Sequence, residues 1–180
     1  RFNFFMKLFY RILLKLLFNL IYGEVKNRKE KYNKKLRLIT LKFYNKNYKL
    51  FEIEKGRIFT DCNTNVAYIS QNNNLMNFSF QQNKNKLSSI NYNSVLKYGT
   101  PKIKKKIRGN VLSLIQGASG NNYWHWLFDL LPKIEIISNN KKIKYFDYYY
   151  VPNLNRYVVD TLKVYGIKEF QLINSQKFKH

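Results

Sequence analysis

The stretch Val111-Leu-Ser-Leu-Ile-Gln-Gly-Ala-Ser-Gly-Asn-Asn-Tyr-Trp-His-Trp-Leu-Phe-Asp-Leu-Leu-Pro-Lys-Ile-Glu-Ile-Ile137 reads as a strand, a turn and a helix. Val111 to Ile115 is a short, nearly continuous apolar run, as expected of a buried parallel strand. Gly117 to Gly120 supplies the turn. From Asn122 to Ile137, Tyr123, Leu127, Leu130, Leu131 and Ile134 recur as one helical stripe that can face a core. Pro132 removes one backbone donor and predicts a kink. Asn122, His125 and Asp129 fall elsewhere on the wheel, within an arc of about 60°. An amide, an imidazole and a carboxylate would then share one face. Such groups bind sugar hydroxyls or move protons.

Working outward, Tyr145 to Val151 reads as a second strand and Arg156 to Tyr165 as a second helix, closed by Gly166. Glu169 to Ile173 reads as a third strand. The alternation β-α-β-α-β predicts half of a doubly wound α/β sheet. Ligands in such folds collect beyond the carboxyl ends of the strands, where the 117–122 loop would lie. Upstream, Arg57 to Thr60, Val66 to Ser70 and Leu75 to Phe80 read as a small antiparallel meander with Asn-rich turns. Asp61 is expected to form its first turn. Residues 24–55 read as a linker followed by an edge strand or hairpin.

Residues 2–22 are apolar, but Asn3, Lys7, Arg11, Lys15 and Asn19 interrupt them every fourth position. Three cations argue against a spanning helix, since each costs about 2.5–3.5 kcal/mol at a bilayer centre. A basic amphipathic helix lying on an anionic membrane surface fits better; a helix docked on its own domain is the alternative. The division is therefore 1–23 amphipathic helix, 24–55 linker and edge strand, 56–109 meander and basic loop, and 110–180 the α/β part.

The same residues carry a family resemblance. Asn121-Asn-Tyr-Trp-His-Trp-Leu-Phe-Asp-Leu-Leu-Pro-Lys133 resembles the signature at the front of glycosyltransferase family 61, the capsular-polysaccharide type. Gly56-Arg-Ile-Phe-Thr-Asp61 and Val66-Ala-Tyr-Ile-Ser70 resemble the β segment that leads it. Tyr148-Tyr-Tyr-Val-Pro152 and Thr161-Leu-Lys-Val-Tyr-Gly-Ile167 resemble the strand and helix that follow. The likeness covers about residues 55 to 175. It implies a Rossmann-like half of a two-domain, metal-independent GT-B transferase. In that arrangement the N-terminal half shapes the acceptor side, and the nucleotide-sugar binds in a C-terminal half outside this chain. The absence of any Asp-x-Asp triplet agrees. The start at Arg1 and the end at His180, just after an expected strand, suggest a fragment.

The expected chemistry is sugar transfer from a nucleotide-sugar to a glycan acceptor, which needs one base for the acceptor hydroxyl. Asp129 is the first candidate for that base. His125, one turn before it, would orient it or the acceptor, or would itself be the base with Asp129 orienting the ring; Asn122 would bind a sugar hydroxyl. Ser119 and Asn121 sit in the turn, as a helix cap or as part of a substrate cradle. Tyr123, Trp124 and Trp126 suit the C–H face of a pyranose, though either tryptophan would serve equally well in a core. No metal or other cofactor is expected.

Composition sets the remaining limits. The formal net charge is +23, from 33 Lys+Arg against 10 Asp+Glu. Such a charge attracts nucleic acid, anionic lipid or acidic glycans. Lys far outnumbers Arg, Asn and Ile abound, and only Lys102 to Arg108 is dense, so A/T-rich coding explains most of it. No RNA motif or helix-turn-helix occurs, so no specific nucleic acid is expected. A basic nucleic-acid-binding protein is the main alternative, a non-catalytic membrane-surface scaffold the other. Cys62 is alone, which excludes an intrachain disulfide and a cysteine zinc site and fits a reducing compartment. The expected location is cytoplasmic, peripheral at the inner face of the cell membrane.

Overall fold

A computed structural model describes residues 2–28, 30–83, 86–87, 90–116 and 122–180. It shows a mixed α/β chain. A parallel three-stranded sheet is built from β7 (Val111–Ser113), β8 (Tyr148–Val151) and β9 (Leu172–Asn174), in that order. Antiparallel strands β1 (Leu36–Phe43) and β2 (Lys46–Ile53) form a hairpin. A second antiparallel sheet joins β3 (Arg57–Thr60), β4 (Asn65–Ile69), β5 (Phe80–Asn83) and β6 (Lys86–Leu87).

Alternation along β7 and β8 divides the core in two. Leu112, Leu114, Tyr149 and Val151 point to one face, where they meet Trp126, Leu130, Ile134, Val158 and Leu162 from the helices. Ile115, Tyr150 and Ile173 point to the other face, where they meet Val66, with Ile58, Tyr68 and Phe80 packed alongside. One face of the parallel sheet is thus covered by helices and the other by the β3–β4 meander. Burial on both faces explains why β7 and β8 read as continuous apolar runs.

The helix over the first face has three parts: α3 (Tyr123–His125), a π-helical turn (Trp126–Leu130) and α4 (Leu131–Asn139). The Leu131 N–H donates to the Trp126 carbonyl, five residues back. The expected kink at Pro132 is thus taken up as a π-bulge just before it. Pro132 lacks an N–H and its ring crowds the carbonyl four residues earlier, and a widened turn relieves both. The residues read as linker and edge strand are the β1–β2 hairpin, which seats Leu41 on α4 while Lys42 accepts from Asn140 Nδ2 at 2.8 Å. Helix α5 (Arg156–Val164) completes the layer, with Gly166 at φ +76° after its cap.

Three expectations are corrected. Leu75 to Phe80 is not the third strand of the meander; β5 begins only at Phe80. The 70–76 segment is spent on other partners: Leu75 N–H donates to the Lys26 carbonyl and Met76 N–H to that of Tyr68, both at 2.8 Å. The second and third parallel strands are shorter at their starts, because Ile143–Tyr145 and Glu169–Gln171 are 3₁₀ turns. Asp61 does form its turn. Its carboxylate accepts from the backbone N–H groups of Asn63, Thr64 and Asn65 and from the Thr64 hydroxyl. Burial works to raise its pKa, but these bonds hold it below the ordinary carboxylate value.

Helix α1 (Phe2–Tyr22) docks on the domain near α2 (Ser94–Tyr98) and the end of the chain. The buried His180 ring packs edge-on against Tyr22 and Phe59, bonds the Lys102 carbonyl through Nδ1 at 2.9 Å and lies 3.3 Å from Arg57. Burial pushes its pKa down to about 4; the Lys102 carbonyl opposes that shift, and the charges of Arg57 and Lys104 add to it. Between that value and the unfolded value of 6.5, the unfolded chain binds more protons than the folded one. Stability should therefore be full near pH 7 and fall on acidification across this window, by up to about 3 kcal/mol. Urea midpoints measured across the window check this, and His180→Gln should flatten the slope.

Candidate functional site

Asn122 starts the helix. Its Oδ1 accepts from the N–H groups of Trp124 (3.0 Å) and His125 (3.5 Å). The cap is Asn122 itself; Ser119 and Asn121 lie outside the described residues. Its amide oxygen is committed to the backbone, so a sugar hydroxyl would have to be met by the exposed amide nitrogen.

Three residues on, His125 turns toward Asp129. Nδ1 lies 2.6 Å from Asp129 Oδ2, and the two side chains are 36% and 34% exposed. An i,i+4 pair is about 40° out of line on an α-helix. The pair spans the junction of α3 and the π turn, where rotation per residue is smaller, and the two groups meet at hydrogen-bond distance. A carboxylate can only accept, so Nδ1 carries the hydrogen and the neutral ring keeps its lone pair on Nε2. Among the described residues Nε2 has no partner.

Lys133 follows one turn further on. Its Nζ donates to Gln116 Oε1 at 3.3 Å, just past the carboxyl end of β7. Burial lowers its pKa, and the nearby Asp129 carboxylate partly restores it. An imidazole, a carboxylate and an ammonium thus run in a row along one helix.

The aromatic residues separate by face. Trp126 is fully buried, with Nε1 donating to Thr161 Oγ1 at 3.0 Å. It is a core residue and cannot touch a sugar, which corrects its assignment to the substrate. Trp124 is 66% exposed, and its ring lies 4.3 Å from that of the exposed Phe128. This pair borders the His125–Asp129 row. Tyr123, expected on the apolar stripe and also on a sugar, is half-exposed and rests edge-on against Tyr157 at 5.0 Å.

The bulge explains the sorting. Counted at 100° per residue, Trp124 and Trp126 lie about 80° to either side of Ile134. An inserted residue removes about one step of rotation. Trp126 then falls within about 20° of Ile134, and Trp124 lands about 180° away. Sequence reasoning missed Phe128 and Lys133. Their four-residue spacings from Trp124 and Asp129 were the available signals.

Among the described residues, no group of three or more His, Cys, Asp or Glu side chains is placed to hold a metal ion. No described helix is long and apolar enough to cross a membrane. No known protein family, curated protein or solved structure matches the chain.

Proposed function

We propose that this chain is the acceptor-side part of a glycosyltransferase resembling family 61, acting in surface or capsular polysaccharide synthesis. It would help move a sugar from a nucleotide-sugar to a glycan acceptor. The observation that carries this reading is the His125–Asp129 pair, partly open to solvent on the helix that follows β7. Strand order β7–β8–β9 is that of one half of a doubly wound sheet, which supports a Rossmann-like reading of residues 110–180.

Of the two assignments open to this pair, the geometry supports His125 as base. With Nδ1 tied to Asp129, Nε2 is the atom able to take a proton, so His125 is the base and Asp129 orients it. Nε2 removes the acceptor hydroxyl proton as the oxygen bonds the anomeric carbon. The bond from that carbon to the nucleotide phosphate breaks on the opposite face, and the phosphate leaves with the electron pair. Asp129 holds the resulting imidazolium. Trp124 and Phe128 offer a flat apolar surface for the acceptor ring beside the base.

The test uses the chain as it stands. Titration with a panel of neutral and uronic-acid oligosaccharides should change the fluorescence of exposed Trp124 and shift the ring signals of His125. Trp124→Phe should remove the fluorescence change. A panel that moves neither residue, while an RNA oligomer binds with steep salt dependence, would favour the nucleic-acid reading instead.

A further inference from the structure

Helix α1 docks with the wrong face for a soluble domain. The C-terminal half of its polar stripe turns inward: Lys15 and Asn19 pack against Gly99, while Arg11, itself exposed, lies over the Tyr98 ring at 5.6 Å. Gly99, at φ +66°, leaves room there; a Cβ would come within 3.1 Å of Asn19 Oδ1. Tyr22 closes the inward face on His180. Phe9, Leu13, Leu16 and Leu20 lie on the opposite side within an arc of about 60°. All four are exposed, Leu20 to 86%. The row runs about 17 Å along the helix. Exposed apolar rows of this kind mark interaction surfaces.

The fold adds a second feature to the same helix. The basic run Lys102 to Arg108, distant in sequence, is brought to its C-terminal end. Lys104 N–H donates to the Tyr22 hydroxyl at 3.1 Å, and Lys104 Nζ sits 5.0 Å above the Tyr22 ring. The run is largely exposed, and Ile103 projects from among its lysines, 85% exposed. Neither α1 nor the run contains an acidic residue.

We propose that the outward face of α1 inserts into the surface of an anionic lipid bilayer, with the 102–108 run held against the headgroups at one end. Charge complementarity selects this occupant. A second copy would bring two chains of net charge +23 face to face, which opposes association. The helix lies in the plane, as expected of an apolar stripe on a helix too charged to span. Of the cations within α1, Lys15 faces the domain and contributes less than the sequence suggested, whereas Lys7 and Arg11 are exposed. The apolar row supplies most of the affinity and the 102–108 run supplies the salt dependence. This inference stands independently of the transferase reading.

The test is flotation of the full chain with phosphatidylcholine vesicles, with and without phosphatidylglycerol. Binding should be much stronger with phosphatidylglycerol than without it, and should weaken, without vanishing, at high salt. Leu13→Asp/Leu16→Asp, both exposed and hence compatible with the fold, should lower affinity about a hundredfold. Lys104→Glu/Lys106→Glu should lower it and flatten the salt dependence. Phe9→Trp should show a blue-shifted emission on adding vesicles. Unchanged binding by the aspartate variant, no blue shift from Trp at position 9, or concentration-dependent dimerisation abolished by the aspartate variant would each overturn the proposal. Glycan binding at Trp124 is unaffected by any of these results, so the two readings fail separately.

Discussion

On the proposed transferase reading, His125→Ala is expected to lower kcat in a glycosyl-transfer assay by about 10²- to 10⁴-fold, the usual contribution of a general base. The melting temperature barely moves, because the His125 side chain is partly exposed and packs no core. Asp129→Asn removes a group that only accepts and substitutes one that also donates. Presented to Nδ1, the new amide N–H favours the other tautomer, with the hydrogen on Nε2 and no lone pair facing the acceptor. A loss within the same range is therefore expected from Asp129→Asn, with KM nearly unchanged. The double variant loses little more than His125→Ala, since the two residues act as one unit. If Asp129→Asn instead lowers the melting temperature and leaves the turnover of folded enzyme normal, the carboxylate is a packing residue.

Trp126→Ala has the largest expected effect on stability. The indole is fully buried between the sheet and α5, and its N–H is satisfied by Thr161. Truncation leaves a cavity and costs about 3–5 kcal/mol. For a chain of this size that corresponds to a fall in Tm of about 10 °C. Trp124→Ala, two positions away, loses only contact with Phe128 and should change stability by about 0.5 kcal/mol or less. Calorimetry of the two variants reads the difference directly. A large fall for Trp124→Ala and none for Trp126→Ala would place the helix in the opposite rotation.

The contrast between these tryptophans marks where the sequence stops being legible. The three parallel strands and both intervening helices follow from apolar runs and helical stripes, because burial on both faces leaves no other pattern for β7 and β8. The helix boundaries at Arg156 and Gly166 follow from turn chemistry. The π-bulge does not follow, since a wheel drawn at fixed rotation has no place for an inserted residue. The pairing of His125 with Asp129 was legible from their four-residue spacing, but the bulge left Trp124 and Trp126 equally placed. Asn122 as cap was hidden too, since Ser119, Asn121 and Asn122 are all good capping residues within four positions. The docking of α1 shows a different gap. Periodicity located its polar stripe, but only the position of Gly99 and His180 shows that Lys15, Asn19 and Tyr22 face the protein and the apolar row faces out.

On the proposed reading, Asp129 fixes the tautomer of His125 and so presents Nε2 as the base. Ring-nitrogen NMR reads it directly, and the chain has only two histidines, so His125→Gln completes the assignment. At a pH where the ring is neutral, His125 should carry its hydrogen on Nδ1, against the preference of a free imidazole side chain in water. Asp129→Ala should return it to the Nε2–H form. An Nε2–H ring in the unaltered chain, identical to that in Asp129→Ala, would contradict the account.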